Sequence, residues 1–171
     1  VASIGDWERN FVLDMIETMH EEKGVGLAAN QVGVNKRIFV ASADGVQGKE
    51  LVYFNPEIVR TSGEIRDFEG CLSVFDEYEP VKRFREVTMR AVNLEGQTVE
   101  VTAKGLLARI FQHEVDHLNG LVFVHHLGWL KRRKIFKKLD KLALERSAKL
   151  QRSSGKSSSR APKSSPGSNT A

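Results

Sequence analysis

The stretch Gln112-His113-Glu114-Val115-Asp116-His117-Leu118 constrains this chain more than any other. Leu106, Leu107, Ile110, Phe111, Val115 and Leu118 recur at helical spacing after Gly105, and Asn119-Gly120 supplies a stop signal. The spacing therefore predicts a helix whose last two turns carry both histidines. At 3.6 residues per turn, His113 and His117 project from one face and can grip one metal ion, while Glu114 points about 100° away and reaches a water on it. The competing reading is an ordinary helix with two exposed histidines. Leu106 and Ile110 argue against it, because they extend the same face backwards as an apolar wall beside the histidines.

A catalytic ion needs a third protein ligand and an open position. Downstream, His125 and His126 follow the apolar run Leu121–Val124, which reads as a strand; their spacing does not continue an HExxHxxGxxH pattern, and they read as surface residues. Cys71 is the better candidate. As the single cysteine it has no partner for an internal disulfide, which leaves a buried bystander or a working thiol. Its neighbours, Glu69, Gly70, Leu72 and Ser73, form a tight segment able to present a thiolate and the next backbone N–H to one point. A third piece is Gly24-Val25-Gly26-Leu27-Ala28-Ala29-Asn30-Gln31. Its glycines admit close backbone approach and Gln31 offers an amide donor, although a loop closing the preceding helix would look the same.

Around these motifs, residues 6–22 place Trp7, Phe11, Met15, Ile16 and Met19 at helical spacing behind Asp6 as a cap. Residues 36–43, 50–59, 86–93 and 97–103 read as strands, the last two joined by a tight turn at Glu95-Gly96. A final helix carries Ile135, Leu139, Leu142 and Leu150 as a stripe with lysines opposite. Residues 151–171 are rich in Ser, Gly and Pro and predict a disordered tail, so the organisation is one domain over 1–150 and the tail over 151–171. The length of 171 residues, with 40% hydrophobic residues, suits one such core. No run is long and apolar enough to span a membrane, and the first ten residues lack a signal-peptide layout, which predicts an intracellular protein. The net charge of +4 is unevenly spread: residues 131–150 carry nine bases against Asp140 and Glu145, and the tail adds four more. The first 130 residues are therefore seven units acidic, which does not suit a nucleic-acid-binding core.

In this order, the motifs at 24–31, 69–73 and 112–118 resemble the three signatures of the peptide deformylase family, and the likeness runs from about Phe11 to Leu142. The resemblance implies an α+β fold, with small antiparallel sheets around a central helix carrying HExxH, and a C-terminal helix. It implies Cys71, His113 and His117 as metal ligands, Glu114 as general acid/base, and Gln31 with the Leu72 backbone N–H as oxyanion donors. Val25, Gly26, Glu69, Leu106 and Ile110 match positions around the peptide cleft and methionine pocket. The implied reaction removes the N-formyl group from the initiator methionine of new polypeptides and releases formate. The implied ion is Fe²⁺, one per chain, with Zn²⁺ or Ni²⁺ in some preparations; a thiolate and two imidazoles suit iron and zinc alike.

The chain departs from the family pattern in three places. It reaches the first helix after ten residues where relatives have some tens, Phe75 stands where a proline is usual, and the Ser-rich tail is an addition. For the basic last helix the family resemblance suggests docking to ribosomal RNA, and the plainer reading is a solvated face. The expected location is the cytoplasm, or an organelle matrix in a eukaryote. Two other classes remain open to the sequence: a zinc endopeptidase sharing the water chemistry, and a non-catalytic binding protein with a vestigial site.

Overall fold

Ile38-Phe39-Val40-Ala41 is apolar at every position, where a strand with one wet face would alternate. All four residues are fully buried. The computed structural model that shows this describes the backbone of residues 1–157 and the side chains of residues 1–74 and 77–149. Its elements are α1 (Asp6–Glu21), β1 (Gly26–Ala28), a 3-10 turn (Ala29–Val32), β2 (Ile38–Ala41), β3 (Leu51–Cys71) and β4 (Val74–Val92). These are followed by β5 (Thr98–Lys104), α2 (Gly105–Leu118), a second 3-10 turn (Phe123–His126) and α3 (Trp129–Ser157).

The strands form one antiparallel sheet in the order β1-β2-β3-β4-β5. Successive side chains of a strand point to opposite faces, so β2 serves two cores at once. Ile38 and Val40 pack with Val12, Met15 and Met19 of α1, and with Leu27 and Phe54. Phe39 and Ala41 pack with Ala108, Ile110, Phe111 and Val115 of α2, and with Tyr53, Val87 and Met89. At the centre of this second core the rings of Phe39, Tyr53 and Phe111 lie 5.4 to 5.6 Å apart at tilted or edge-on angles. The antiparallel sheets expected around the HExxH helix are thus one continuous sheet, with α1 and α2 packed on the two faces of β2.

Several local expectations change. The strands read at 50–59 and 86–93 belong to a much longer hairpin, in which β3 and β4 pair from Phe54↔Val92 to Cys71↔Val74 around the two-residue link Leu72-Ser73. Its outer half is dense in charged side chains and was not legible as strand. Pro56 is accommodated because the register shifts between Phe54 and Glu57, where Asn55 takes a φ of 51°. On α1 the buried face is Glu8, Val12, Met15 and Met19. Trp7 is 50% exposed, stacked on Phe11 with the Lys36 ammonium over its ring. The cap of α1 is Gly5, whose N–H donates to the Glu8 carboxylate at 3.0 Å, and Asp6 is the first helical residue. The run Leu121–Val124 is no strand, because Phe123 and Val124 are buried in succession within a 3-10 turn.

The expected stop of α2 holds: the helix ends at Leu118, and Gly120 adopts a φ of 77°. Arg37 donates to the Leu118 carbonyl at 3.2 Å and to Asn119 Oδ1 at 2.8 Å, satisfying groups that a helix end leaves open. The turn after β4 also forms as expected, with Gly96 at a φ of 80°.

Residues 1–128 make one compact unit, and a second begins at Trp129. In the second, α3 continues past Gln151 to Ser157, since extending an existing helix is far less costly than starting one. Ile135 is buried and Leu139 half-buried, while Leu142 is exposed. The Leu150 side chain, that of Phe75, and the structure of the tail over 158–171 lie outside the described residues. No described helix is long and apolar enough to cross a membrane.

Phe111 of α2 packs against two rings, Phe39 of β2 and Tyr53 of β3, so Phe111→Ala should cost about 3–5 kcal/mol of stability. Urea unfolding followed by tryptophan fluorescence measures it, with a midpoint shift and unchanged slope expected.

Candidate metal centre and cleft

Glu69 and Cys71 end β3, and His113, Glu114 and His117 end α2. Packing the hairpin against that helix turns two sequence motifs into one cluster. The Cys71 Sγ lies 3.1 Å from His117 Nε2, which lies 3.1 Å from His113 Nε2. One ligand atom from each of the three residues falls within 4.8 Å of the others, close enough to hold a single ion. The second ring nitrogen of His113, Nδ1, sits 3.2 Å from Glu69 Oε2. A proton on Nδ1 donated to that carboxylate leaves Nε2 facing the cluster, the usual support for an imidazole ligand.

Gln31 reaches the cluster from the turn after β1. Its Oε1 accepts the Ala28 N–H at 2.8 Å, which fixes the amide orientation and turns Nε2 toward Ser73 Oγ at 3.1 Å and Cys71 Sγ at 3.8 Å. The neighbouring Asn30 amide donates to the His117 carbonyl, tying this turn to the end of α2.

Glu114 is buried on the cleft side of the helix. Its Oε2 has no hydrogen-bond partner among the described residues. Gly26 makes room for it: a β-carbon at position 26 would come within 2.3 Å of Glu114 Oε1. An orphaned buried carboxylate oxygen beside three convergent N/S donors suits a bound ion and a polar reactant.

The electrostatics follow from burial and close pairing. Burial alone would raise the Cys71 thiol, but hydrogen bonds and charge from His113 and His117 bring it down to about 6. For His113, burial works downward and is outweighed by hydrogen bonds to Cys71 and Glu69, which carry it up to about 10. Close pairing thus favours the ionised thiol and the protonated His113 ring together, and a cation at this point would compete with that proton. Burial pushes Glu114 up to about 7 despite the opposing histidines. Glu69 is driven the other way: burial favours its neutral form, yet His113 and Arg83 hold it down to about 2.

Over this cluster opens a cleft of about 420 Å³. Of the site residues that the resemblance implies, all line it except His117, which lies beneath. Ile110 forms a buried part of the wall, whereas Leu106 and Val25 stand half exposed at its rim. The sequence did not point to Arg83, Arg109, Phe68 or Tyr78. Arg83 donates through Nε and Nη2 to the two oxygens of Glu69, at 3.0 Å each. Arg109 donates to Asp67 at 2.5 Å and to the Phe68 carbonyl at 2.7 Å. Tyr78 lies over Gly70, where a β-carbon would meet its ring at 2.3 Å, and both Phe68 and Tyr78 line the cleft. Nothing in the spacing of Arg83 or Tyr78 relates them to the three motifs, whereas Phe68 directly precedes Glu69 and Arg109 stands one helical turn before His113. His125 and His126, expected as plain surface residues, are both engaged: His125 Nδ1 sits 3.0 Å from the Val122 nitrogen, and His126 contacts Asp116.

A thiolate–bis-imidazole centre on an α+β scaffold, with a buried carboxylate beside it and a cleft above, defines the class of mononuclear metallohydrolases with an HExxH helix. The model of the polypeptide deformylase family matches residues 1–133, and the chain belongs to that family. Peptide deformylase 1 of Pseudomonas syringae pv. tomato is 46% identical over 142 residues, covering 82% of this chain and 84% of that protein. Peptide deformylase 1 of Clostridium perfringens is 48% identical over 127 residues, covering 74% and 85%. The crystal structure of a peptide deformylase from Legionella pneumophila superposes with a TM-score of 0.78 at 41% identity, covering 86% of this chain and 87% of that one.

If the three residues are ligands, Cys71→Ala and His117→Ala should lose stoichiometric metal, while Glu114→Ala should keep one ion per chain. Elemental analysis after gel filtration distinguishes these outcomes.

Proposed function

We infer that this chain removes the N-formyl group from the initiator methionine of newly synthesised polypeptides and releases formate. One observation carries the reading: in a member of this family, Cys71, His113 and His117 bring ligand atoms within 4.8 Å of one another beside buried Glu114, whose Oε2 has no hydrogen-bond partner among the described residues.

In this mechanism Cys71, His113 and His117 would hold one divalent ion, which the family resemblance gives as Fe²⁺, with Zn²⁺ or Ni²⁺ able to replace it. The ion, when bound, supplies a Lewis acid that polarises the formyl group and makes a water acidic near neutral pH. Glu114 accepts the proton of the attacking water and returns it to the leaving amine. Its burial against Gly26 keeps bulk water away from the carboxylate and fixes its direction. Gln31, with its carbonyl engaged by Ala28, directs Nε2 to the oxygen that gains charge, together with the Leu72 N–H. Val25 and Gly26 offer backbone to which the extended peptide adds as a strand, and Leu106 and Ile110 receive the methionine side chain. Glu69 orients His113 from behind.

The catalytic domain in this reading covers 1–150, with 151–171 as a tail, and the enzyme works in the cytoplasm or an organelle matrix. The basic surplus on residues 131–150 favours docking to ribosomal RNA, which would bring an acidic catalytic unit to the emerging chain. Such docking should be salt-dependent, so co-sedimentation with ribosomes should weaken as salt rises and vanish on deletion of residues 131–171. Equal pelleting by the shortened chain removes this role.

The activity is tested by anaerobic formate release from formyl-Met-Ala-Ser, with the acetylated peptide and an internally cleavable blocked peptide as controls. The formyl peptide alone should react. Glu114→Ala should nearly abolish turnover, and Gly26→Ala, whose methyl displaces the same carboxylate, should lose on the order of a hundredfold. Cleavage of the blocked peptide would indicate an endopeptidase instead.

A further inference from the structure

Asp116 lies between the two histidines of the HExxH helix but belongs to neither the ligand set nor the cleft. Its Oδ2 takes two close contacts, Arg83 Nη1 at 2.5 Å and His126 Nε2 at 2.6 Å. Arg83 Nη1 also lies 3.2 Å from His126 Nε2. A guanidinium nitrogen is always a donor, so the two nitrogens cannot both be satisfied by each other; they converge on one carboxylate oxygen. The other edge of Arg83 is fully used by the two Glu69 oxygens at 3.0 Å. Because the guanidinium is planar and rigid, Asp116 on one edge sets the direction in which the other edge holds Glu69. Glu69 Oε2 in turn faces His113 Nδ1 at 3.2 Å.

We propose that His126 is a positioning residue for the metal centre, acting through Asp116, Arg83 and Glu69 on the orientation of the His113 ring. The inference rests on the reading of Cys71, His113 and His117 as ligands. Four segments meet in this relay: the 3-10 turn after α2, α2 itself, β4 and β3. Arg83 is almost completely buried, whereas the His126 side chain is 34% exposed. The relay therefore ends at a replaceable residue at the surface, and its loss leaves the Arg83–Glu69 pair intact but free to turn about the Asp116 side. The expected consequence is faster loss of the ion from an otherwise folded site.

The test uses the full chain loaded with Zn²⁺ and follows release of zinc into excess chromogenic chelator by absorbance. His126→Ala should release zinc about tenfold faster, and His126→Gln, whose amide nitrogen reaches the Nε2 position, should stay close to the parent rate. His126→Asn, polar but too short to reach Asp116, should behave like alanine and serves if the alanine variant does not fold. Val101→Ala, in the core packed against α2, should lower the Tm and leave release unchanged. Release from His126→Ala and His126→Asn at the parent rate overturns the proposal. So does a glutamine variant as leaky as alanine, or a Val101→Ala chain that leaks equally, since either outcome reduces His126 to a structural tie. A parent that holds no zinc removes the ligand reading together with the proposal. A parent that holds zinc and deformylates, beside His126 variants that retain it equally, removes the proposal alone.

Discussion

The buried carboxylate of Glu69 is the constraint on which the site depends. An ionised carboxylate that is 8% exposed is tolerable only with partners in good geometry, and it has Arg83 on both oxygens and the His113 ring beside one of them. Those partners come from β4 and α2, so a single charge fixes the end of the hairpin against the end of the helix. Cys71, two residues further along β3, arrives beside His117 as a consequence. The Cys71–His113–His117 cluster is thus not held together by its own three side chains. It is assembled by an ion-pair network that would be strongly destabilised by loss of any one member.

The second requirement is a rigid platform for α2. β2 supplies it by being apolar on both faces, so that α1 and α2 bury their stripes against opposite sides of the same four residues. The end of α2 is then fixed by Arg37 and Asn30, which occupy carbonyls at Leu118 and His117. Burial of the helix also determines the state of Glu114. With the Gly26 backbone against it and no hydrogen-bond partner for Oε2 among the described residues, the carboxyl is desolvated and raised toward neutrality, where it can both take and give a proton.

Much of this was legible before any coordinates. HExxH predicted a helix with two histidines on one face, because the period of an α-helix is set by backbone geometry and residues four apart lie one turn above each other. β2, the turn at Glu95-Gly96 and the stop at Asn119-Gly120 were equally local signals. What escaped were elements whose stability is not local. The outer half of the β3–β4 hairpin is charged on many positions and is a strand because it pairs with its neighbour over most of its length. Trp7 looked like core by period and lies half outside, since the helix turns Val12 and Met15 inward and leaves its ring to Phe11 and Lys36. His126 looked like surface and is tied to Asp116.

By itself the sequence determined the chemistry available: one thiol, two histidines at helical spacing, a carboxylate beside them, and an amide on a glycine-bordered turn. These follow from residue type and short-range spacing, which are written in the chain directly. Tertiary structure alone decided which groups share a point in space and in which protonation state. That Glu69 is held down and Glu114 raised depends on His113 and Arg83 reaching the one, and on burial of the other with no donor to its Oε2 among the described residues. Arg83 is 14 residues from Glu69 and 33 from Asp116 along the chain. Neither propensity nor periodicity carries information over that separation; hairpin pairing and helix packing do.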